Sequence, residues 1–147
     1  MQVLVDTSVW SLAFRRTAAV TPATPVTPAA AGLRSTSAVA VLRDLVIDGR
    51  AALMGSIRQE LLSGIKSNFQ FVSLRQTLSA FDDIALTRDD YQLAAEFFNT
   101  CRSRGVQGSQ TDFLICAVAS ARKLPILTTD LDFVRYGQHL NVDLLGF

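Results

Sequence analysis

An α/β sandwich on a mostly parallel sheet is the fold this sequence predicts, and two observations predict it. Short apolar runs of strand length alternate with longer stretches of helical periodicity along the whole chain. Acidic residues stand where those elements begin or end. Asp6 closes the run Val3 to Val5, Asp130 follows Pro125-Ile126-Leu127 through Thr128-Thr129, and Glu60 and Asp112 fall in first turns of helices. In an open parallel sheet, strand ends and the helix starts that follow them gather at one edge, where ligand sites form.

The first strand, Val3 to Val5, is followed by a short helix from Thr7 to Phe14. Composition then changes. Residues 17–34, and Thr17 to Ala31 above all, are rich in Pro, Ala and Thr, and Pro22, Pro25 and Pro28 stand three apart. That spacing favours an extended, polyproline-like surface loop over a helix, with a flap near a site as the lesser reading. Ser35-Thr36-Ser37 is an N-cap cluster for a helix carrying Ala38, Val41, Leu42, Leu45 and Val46, which Gly49 stops. Ala51 to Met54 reads as a strand. Ser56 with Gln59 reads as a capping box opening a helix with Ile57, Leu61 and Ile65 on one face.

A helical stretch from Phe69 to Leu78 and a strand over Ile84 to Leu86 come next. Thr87 with Asp90 opens a helix whose stripe is Tyr91, Ala94, Ala95, Phe98 and Cys101, ending before Gly105. Ser109 opens another that runs to about Lys123, with no charged residue from Phe113 through Ala121, the mark of a helix buried nearly all round. Ile126-Leu127 and Val142 to Leu145 complete the strands. With no internal repeat or boundary, residues 1–147 form one domain, long enough to bury a core without disulfides.

The apolar fraction is 49% and the charged fraction 18%, an excess expected to cover a core plus a partner surface. The longest uncharged apolar run, Phe113 to Ala119, is far too short to span a bilayer, and Met1 to Asp6 carries no signal-peptide pattern, so a cytoplasmic location without membrane is expected. Cys101 and Cys116 read as small buried thiols rather than a disulfide framework. A net charge of +1 lacks the bulk field of a nucleic-acid binder, so any RNA contact must be local; it neither supports nor excludes a nuclease.

Taken singly, the acids have ordinary explanations. Asp6 could cap the next helix, Glu60 could serve the helix dipole, and Asp130 and Asp132 could be turn residues before a helix near Phe133. Asp112 is harder to dismiss, because Ile115, Cys116 and Ala119 continue its stripe as core and a carboxylate at the lip of a buried helix is costly unless paired, capped or metal-bound. Together, four such explanations would have to converge on one sheet edge by accident. Acids collected there repel one another unless a cation neutralises them, and an all-oxygen cluster suits Mg²⁺ or Mn²⁺. Other chemistries fit worse: His139 is a lone late histidine in a polar stretch, read as a surface residue, and no close cysteine pair or phosphate-cradling glycine loop is present.

These residues resemble the PIN-domain ribonucleases, especially the VapC-like toxins of toxin–antitoxin pairs. The matching stretches are Val5-Asp6-Thr7-Ser8-Val9-Trp10, Gln59-Glu60-Leu61-Leu62-Ser63-Gly64, Gly108-Ser109-Gln110-Thr111-Asp112 leading into Phe113-Leu114-Ile115-Cys116-Ala117, and Thr128-Thr129-Asp130-Leu131-Asp132-Phe133. The departure is the proline-rich segment, longer than the usual connection. The resemblance implies a PIN-like three-layer α/β/α sandwich and endoribonucleolytic cleavage of cellular RNA, tRNA or rRNA among the candidates, by metal-activated water. It makes Asp6, Asp112 and Asp130 the ligands of Mg²⁺ or Mn²⁺ and has Glu60 bind a second metal or position the attacking water. Ser8 and Thr128 orient the ligands by hydrogen bonds, and Asp132 is the more variable acid of the last motif.

It also implies a small antitoxin partner, with a homodimer face drawing on the apolar excess. Arg15, Arg16, Lys66, Arg102 and Arg104 are candidate phosphate contacts, with a plain solvated surface charge the leading reading for each. Two alternatives stand beside this: an RNA-processing nuclease of the same fold without an antitoxin, and a non-catalytic metal-binding α/β module.

Overall fold

β1 (Val3–Val5) lies at the centre of an open, all-parallel sheet, with β2 (Ala51–Ala52) on one side and β3 (Ile126–Leu127) on the other. This computed structural model describes residues 1–18 and 29–147, and the side chains of these except 16–18 and 29–32. All five residues of β1 and β3 are buried, which is why they read as unbroken apolar runs rather than alternating ones.

The helices are α1 (Thr7–Ala18), α2 (Ala29–Ile47), α3 (Gly55–Leu62), α4 (Asn68–Leu78), α5 (Arg88–Ser103), α6 (Gln110–Arg122) and α7 (Asp132–Gly137). α1 and α2 connect β1 to β2, while α3 to α6 carry the chain back across β1 to β3. The two crossovers run in opposite directions, so right-handed connections place their helices on opposite faces. The result is the expected α/β sandwich. Its topological switch point, where the crossovers diverge, lies at the carboxyl ends of β1 and β3.

Several element boundaries differ from expectation. The proline-rich segment begins and ends in helix: Thr17 and Ala18 close α1, and Ala29 opens α2. Pro22, Pro25 and Pro28 lie outside the described residues. Ser35 to Ser37 therefore sit inside α2 rather than capping it, because the preceding alanine-rich residues continue the helix upstream. Ala38, Leu42 and Leu45 are buried as expected, with Val46 turned outward.

The Ser56–Gln59 capping box does not form. α3 starts two residues earlier with Met54 as its cap, whose carbonyl accepts from Ile57 and Arg58, and the Ser56 hydroxyl is buried without a partner. Ile57 and Leu61 are buried, while Ile65 lies beyond the helix. α4 begins with Ser67 as a true cap.

Two expected strands shrink to single bridges. Leu53 pairs with Asp83, and Leu144 with Ile126. Beyond the Ile84 amide, which still bonds the Leu53 carbonyl at 2.9 Å, the ladder does not continue, and the Ala85 carbonyl accepts from Arg122 at 3.0 Å.

The Thr87–Asp90 capping box is present, and Asp90 is buried against the Arg122 guanidinium at 2.8 Å. This pair locks α5 onto α6 and holds the Asp90 carboxyl down at about 2. The α5 stripe is only partly covered: Cys101 is buried and Phe98 half-buried, but Tyr91 and Ala95 are exposed beside α6. α6 buries Phe113 and Ile115 to Ala119, and its C-cap Lys123 adopts a left-handed conformation. Both cysteines are free and buried; His139, expected on the surface, is half-buried. Among the described residues no helix is long and apolar enough to cross a membrane.

Candidate functional site

Asp6 is the first residue after β1, where the amide still bonds to the Leu127 carbonyl at 2.9 Å and its carbonyl already accepts from Val9 in α1. A strand that ends on its helix cap leaves that side chain at the switch point. There it is buried, and Thr128 Oγ1 donates to Asp6 Oδ2 at 2.8 Å. Burial raises the Asp6 carboxyl above its ordinary value, against the hydrogen bonds from Thr128 and Ser8 that favour the charged form.

Thr128 is buried at the end of β3 and works twice, because its hydroxyl oxygen also accepts the Asp130 amide at 3.0 Å. Ser8 Oγ stands 3.4 Å from Thr128 Oγ1 and accepts the Thr129 amide at 3.2 Å. Asp130 Oδ1 in turn accepts the Asp132 amide at 2.9 Å, the turn that starts α7. The predicted residues Asp6, Ser8, Thr128 and Asp130 thus form one hydrogen-bonded network across two strand ends. Asp132 belongs to it through its backbone; its exposed carboxylate leans toward Arg135 at 3.9 Å.

Asp112 comes from the opposite side, in the first turn of α6, where its amide donates to Ser109 Oγ at 3.0 Å. Burial raises its carboxyl, the Tyr136 hydroxyl bond opposes that, and the charges of Asp6 and Asp130 push it up further. Asp112 therefore stands within electrostatic reach of both Asp6 and Asp130. Glu60, exposed on α3, accepts a hydrogen bond from Thr7 Oγ1 at 2.8 Å, which brings it beside the residue that follows Asp6. Asp6, Asp112 and Asp130 therefore share the switch point, and Glu60 is tied to Thr7 beside it.

Among the described residues, the ion pairs engage Asp83, Asp90 and Asp132, and no Lys or Arg engages the four acids. Such a patch offers oxygen donors and uncompensated negative charge, the donor chemistry that fits a hard divalent cation. As the side chains stand, no three His, Cys, Asp or Glu among the described residues are gathered tightly enough to hold a metal ion.

Three participants were not anticipated. Tyr136, fully buried on α7, donates its hydroxyl to Asp112 Oδ2 at 2.8 Å. Burial and the neighbouring Asp112 hold this phenol far above its usual range. Gly108 makes room for it, and Thr7 steers Glu60. A glycine directly before the Ser109 cap was the one visible cue; nothing local marks Tyr136 as a partner of a residue 24 positions away.

Sheet and site together define an α/β domain with an acidic, oxygen-only cluster at the switch point of a parallel sheet. The model of the PIN domain family matches residues 3–138, and the chain belongs to that family. Two solved structures share the fold at low identity. FitAcB from Neisseria gonorrhoeae aligns with TM-score 0.69 and 18% identity, covering 99% of this chain and 97% of that one. VapBC2 from Rickettsia felis, bound to a DNA fragment from their promoter, aligns with TM-score 0.72 and 17% identity, covering 100% and 99%. Among curated proteins no significant match is found.

Proposed function

We propose that this protein is a metal-dependent endoribonuclease, the toxin of a toxin–antitoxin pair acting in the cytoplasm. The observation that supports this is that Asp112 lies within electrostatic reach of Asp6 and Asp130 at the switch point, with Glu60 bonded to the adjoining Thr7 and no Lys or Arg among the described residues engaging the four. Asp6, Asp112 and Asp130 are the residues that would hold Mg²⁺ or Mn²⁺, which when bound supplies an activated water and neutralises charge developing on the phosphate.

The chain's own residues prepare that site. Thr128 holds Asp6 and the Asp130 turn in one orientation, and Ser8 ties the adjoining Thr129 amide. Thr7 aims Glu60, which would bind a second metal or position the attacking water. Water rather than the ribose 2′-hydroxyl attacks, so selection of RNA rests on binding contacts. Arg15, Lys66, Arg102 and Arg104 are exposed and available for phosphates; the Arg16 side chain lies outside the described residues.

A small antitoxin and a second copy of the chain are the partners this reading requires. An apolar groove lined by Phe14, Leu61, Ile65, Leu74 and the exposed Phe69, with Arg15 beside them, supports docking of a partner segment.

The test is cleavage of total RNA and tRNA by purified, partner-free protein with Mn²⁺, Mg²⁺ or EDTA, beside Asp112→Ala. Metal-dependent products absent from the variant are expected. Intact RNA from folded, metal-binding protein under every condition would overturn the nuclease.

A further inference from the structure

Tyr136 carries no motif, yet three separate elements place its hydroxyl. The ring is packed against Phe113 of α6, with centroids 4.9 Å apart, and against Phe133 of α7, at 5.2 Å. On its hydroxyl side lies Gly108, where a Cβ would stand 2.7 Å from Tyr136 Cζ, 2.9 Å from Cε1 and closer still to the oxygen. The chain has left out a side chain where the phenol must pass. What the phenol reaches is Asp112 Oδ2, at 2.8 Å.

α7 is therefore tied to two site acids. It starts from the turn in which Asp130 Oδ1 accepts the Asp132 amide, and near its end Tyr136 holds Asp112. A short helix fixed at both points sets where Asp112 of α6 stands relative to Asp130 after β3.

We propose that Tyr136 is a positioning residue: its hydroxyl orients the Asp112 carboxylate for divalent-cation binding, and Gly108 is the space that lets it do so. A phenol that merely satisfied its own donor would need only an uncharged acceptor. This one donates to a carboxylate that two other acids already repel, where a directional donor both fixes the side chain and supports its charged form.

The inference rests on the metal-site reading above, and the experiment separates the two. Mn²⁺ affinity is measured by calorimetry for the full-length wild type, Asp112→Asn and Tyr136→Phe, with unfolding midpoints in EDTA. Mn²⁺ binding by the wild type that Asp112→Asn abolishes upholds the reading. Tyr136→Phe, which keeps the ring, is then expected to bind Mn²⁺ at least about ten-fold more weakly. Wild-type Mn²⁺ affinity in Tyr136→Phe, whatever its unfolding midpoint, overturns the positioning role and leaves the reading intact. Absence of Mn²⁺ binding by the wild type overturns both.

A spectroscopic measurement does not depend on the phenylalanine variant folding. The chain has 2 tyrosines, so in Tyr91→Phe the phenol of Tyr136 is the sole one. Its ultraviolet Raman doublet should report donation to a carboxylate, with and without Mn²⁺, and lose that character in the added Asp112→Ala. A doublet unaffected by Asp112→Ala, or donation that vanishes on Mn²⁺ loading, overturns the proposal.

Discussion

Thr128 donates to Asp6 Oδ2 at 2.8 Å while its oxygen accepts the Asp130 amide at 3.0 Å, so one hydroxyl ties the end of β1 to the turn after β3. Thr128→Val keeps the shape but strands a buried carboxylate and an amide. A loss of about 1–3 kcal/mol at neutral pH is expected from denaturant unfolding, together with a fall in RNA cleavage of more than about ten-fold. The Asp6 carboxyl already stands above its ordinary value, and the lost bond served its charged form. The stability penalty should therefore be largest at neutral pH and shrink as acid protonates Asp6.

Asp112 carries a charge that works against the metal-free fold. Burial and the charges of Asp6 and Asp130 raise its carboxyl above 3.8, so the unfolded chain gives up this proton more readily than the folded one. The resulting penalty is present at neutral pH and is relieved as pH falls through the folded value. Asp112→Asn in EDTA should raise the thermal midpoint by about 2–5 °C at pH 7, an advantage that disappears in acid, while RNA cleavage is lost. A lowered midpoint at pH 7 would contradict the account.

Gly108→Ala places a methyl against the Tyr136 ring, with Cζ only 2.7 Å away. That ring sits between Phe113 and Phe133, so it cannot retreat freely. A destabilisation of about 1–3 kcal/mol is expected, with cleavage falling as the hydroxyl leaves Asp112. Wild-type unfolding and cleavage would show that the site tolerates the methyl.

Asp90 provides a pH response remote from the site. Arg122, above all, holds its carboxyl down from 3.8 to about 2. A depressed folded value stabilises fully above 3.8, and that contribution drains away as pH falls toward about 2. The shift corresponds to about 2 kcal/mol. Asp90→Asn should lose this much at pH 7 and show a flatter acid limb in urea midpoints against pH.

Thr7 offers a cleaner separation of function from stability. It donates to an exposed Glu60 at 2.8 Å, a contact worth little to the fold. Thr7→Val should change unfolding by less than about 0.5 kcal/mol and reduce cleavage markedly. Equal losses in both would assign Thr7 to the fold alone.

The amino-acid pattern determined where the acids fall. Apolar runs mark strands, Asp6 and Asp130 close two of them, and Ser109 and Thr87 announce their helices through local capping chemistry that needs no distant partner. What acts across the chain was settled only by packing. Glu60 meets Thr7 from 53 positions away, Arg122 meets Asp90 from 32, and Tyr136 meets Asp112 from 24. The same holds for the strand expected over Ile84 to Leu86, where the Ala85 carbonyl accepts from Arg122 of α6. Periodicity and capping are properties of neighbouring residues and can be read along the chain. Which hydroxyl or guanidinium reaches which carboxylate depends on how helices dock on the sheet, and only the tertiary structure decides that.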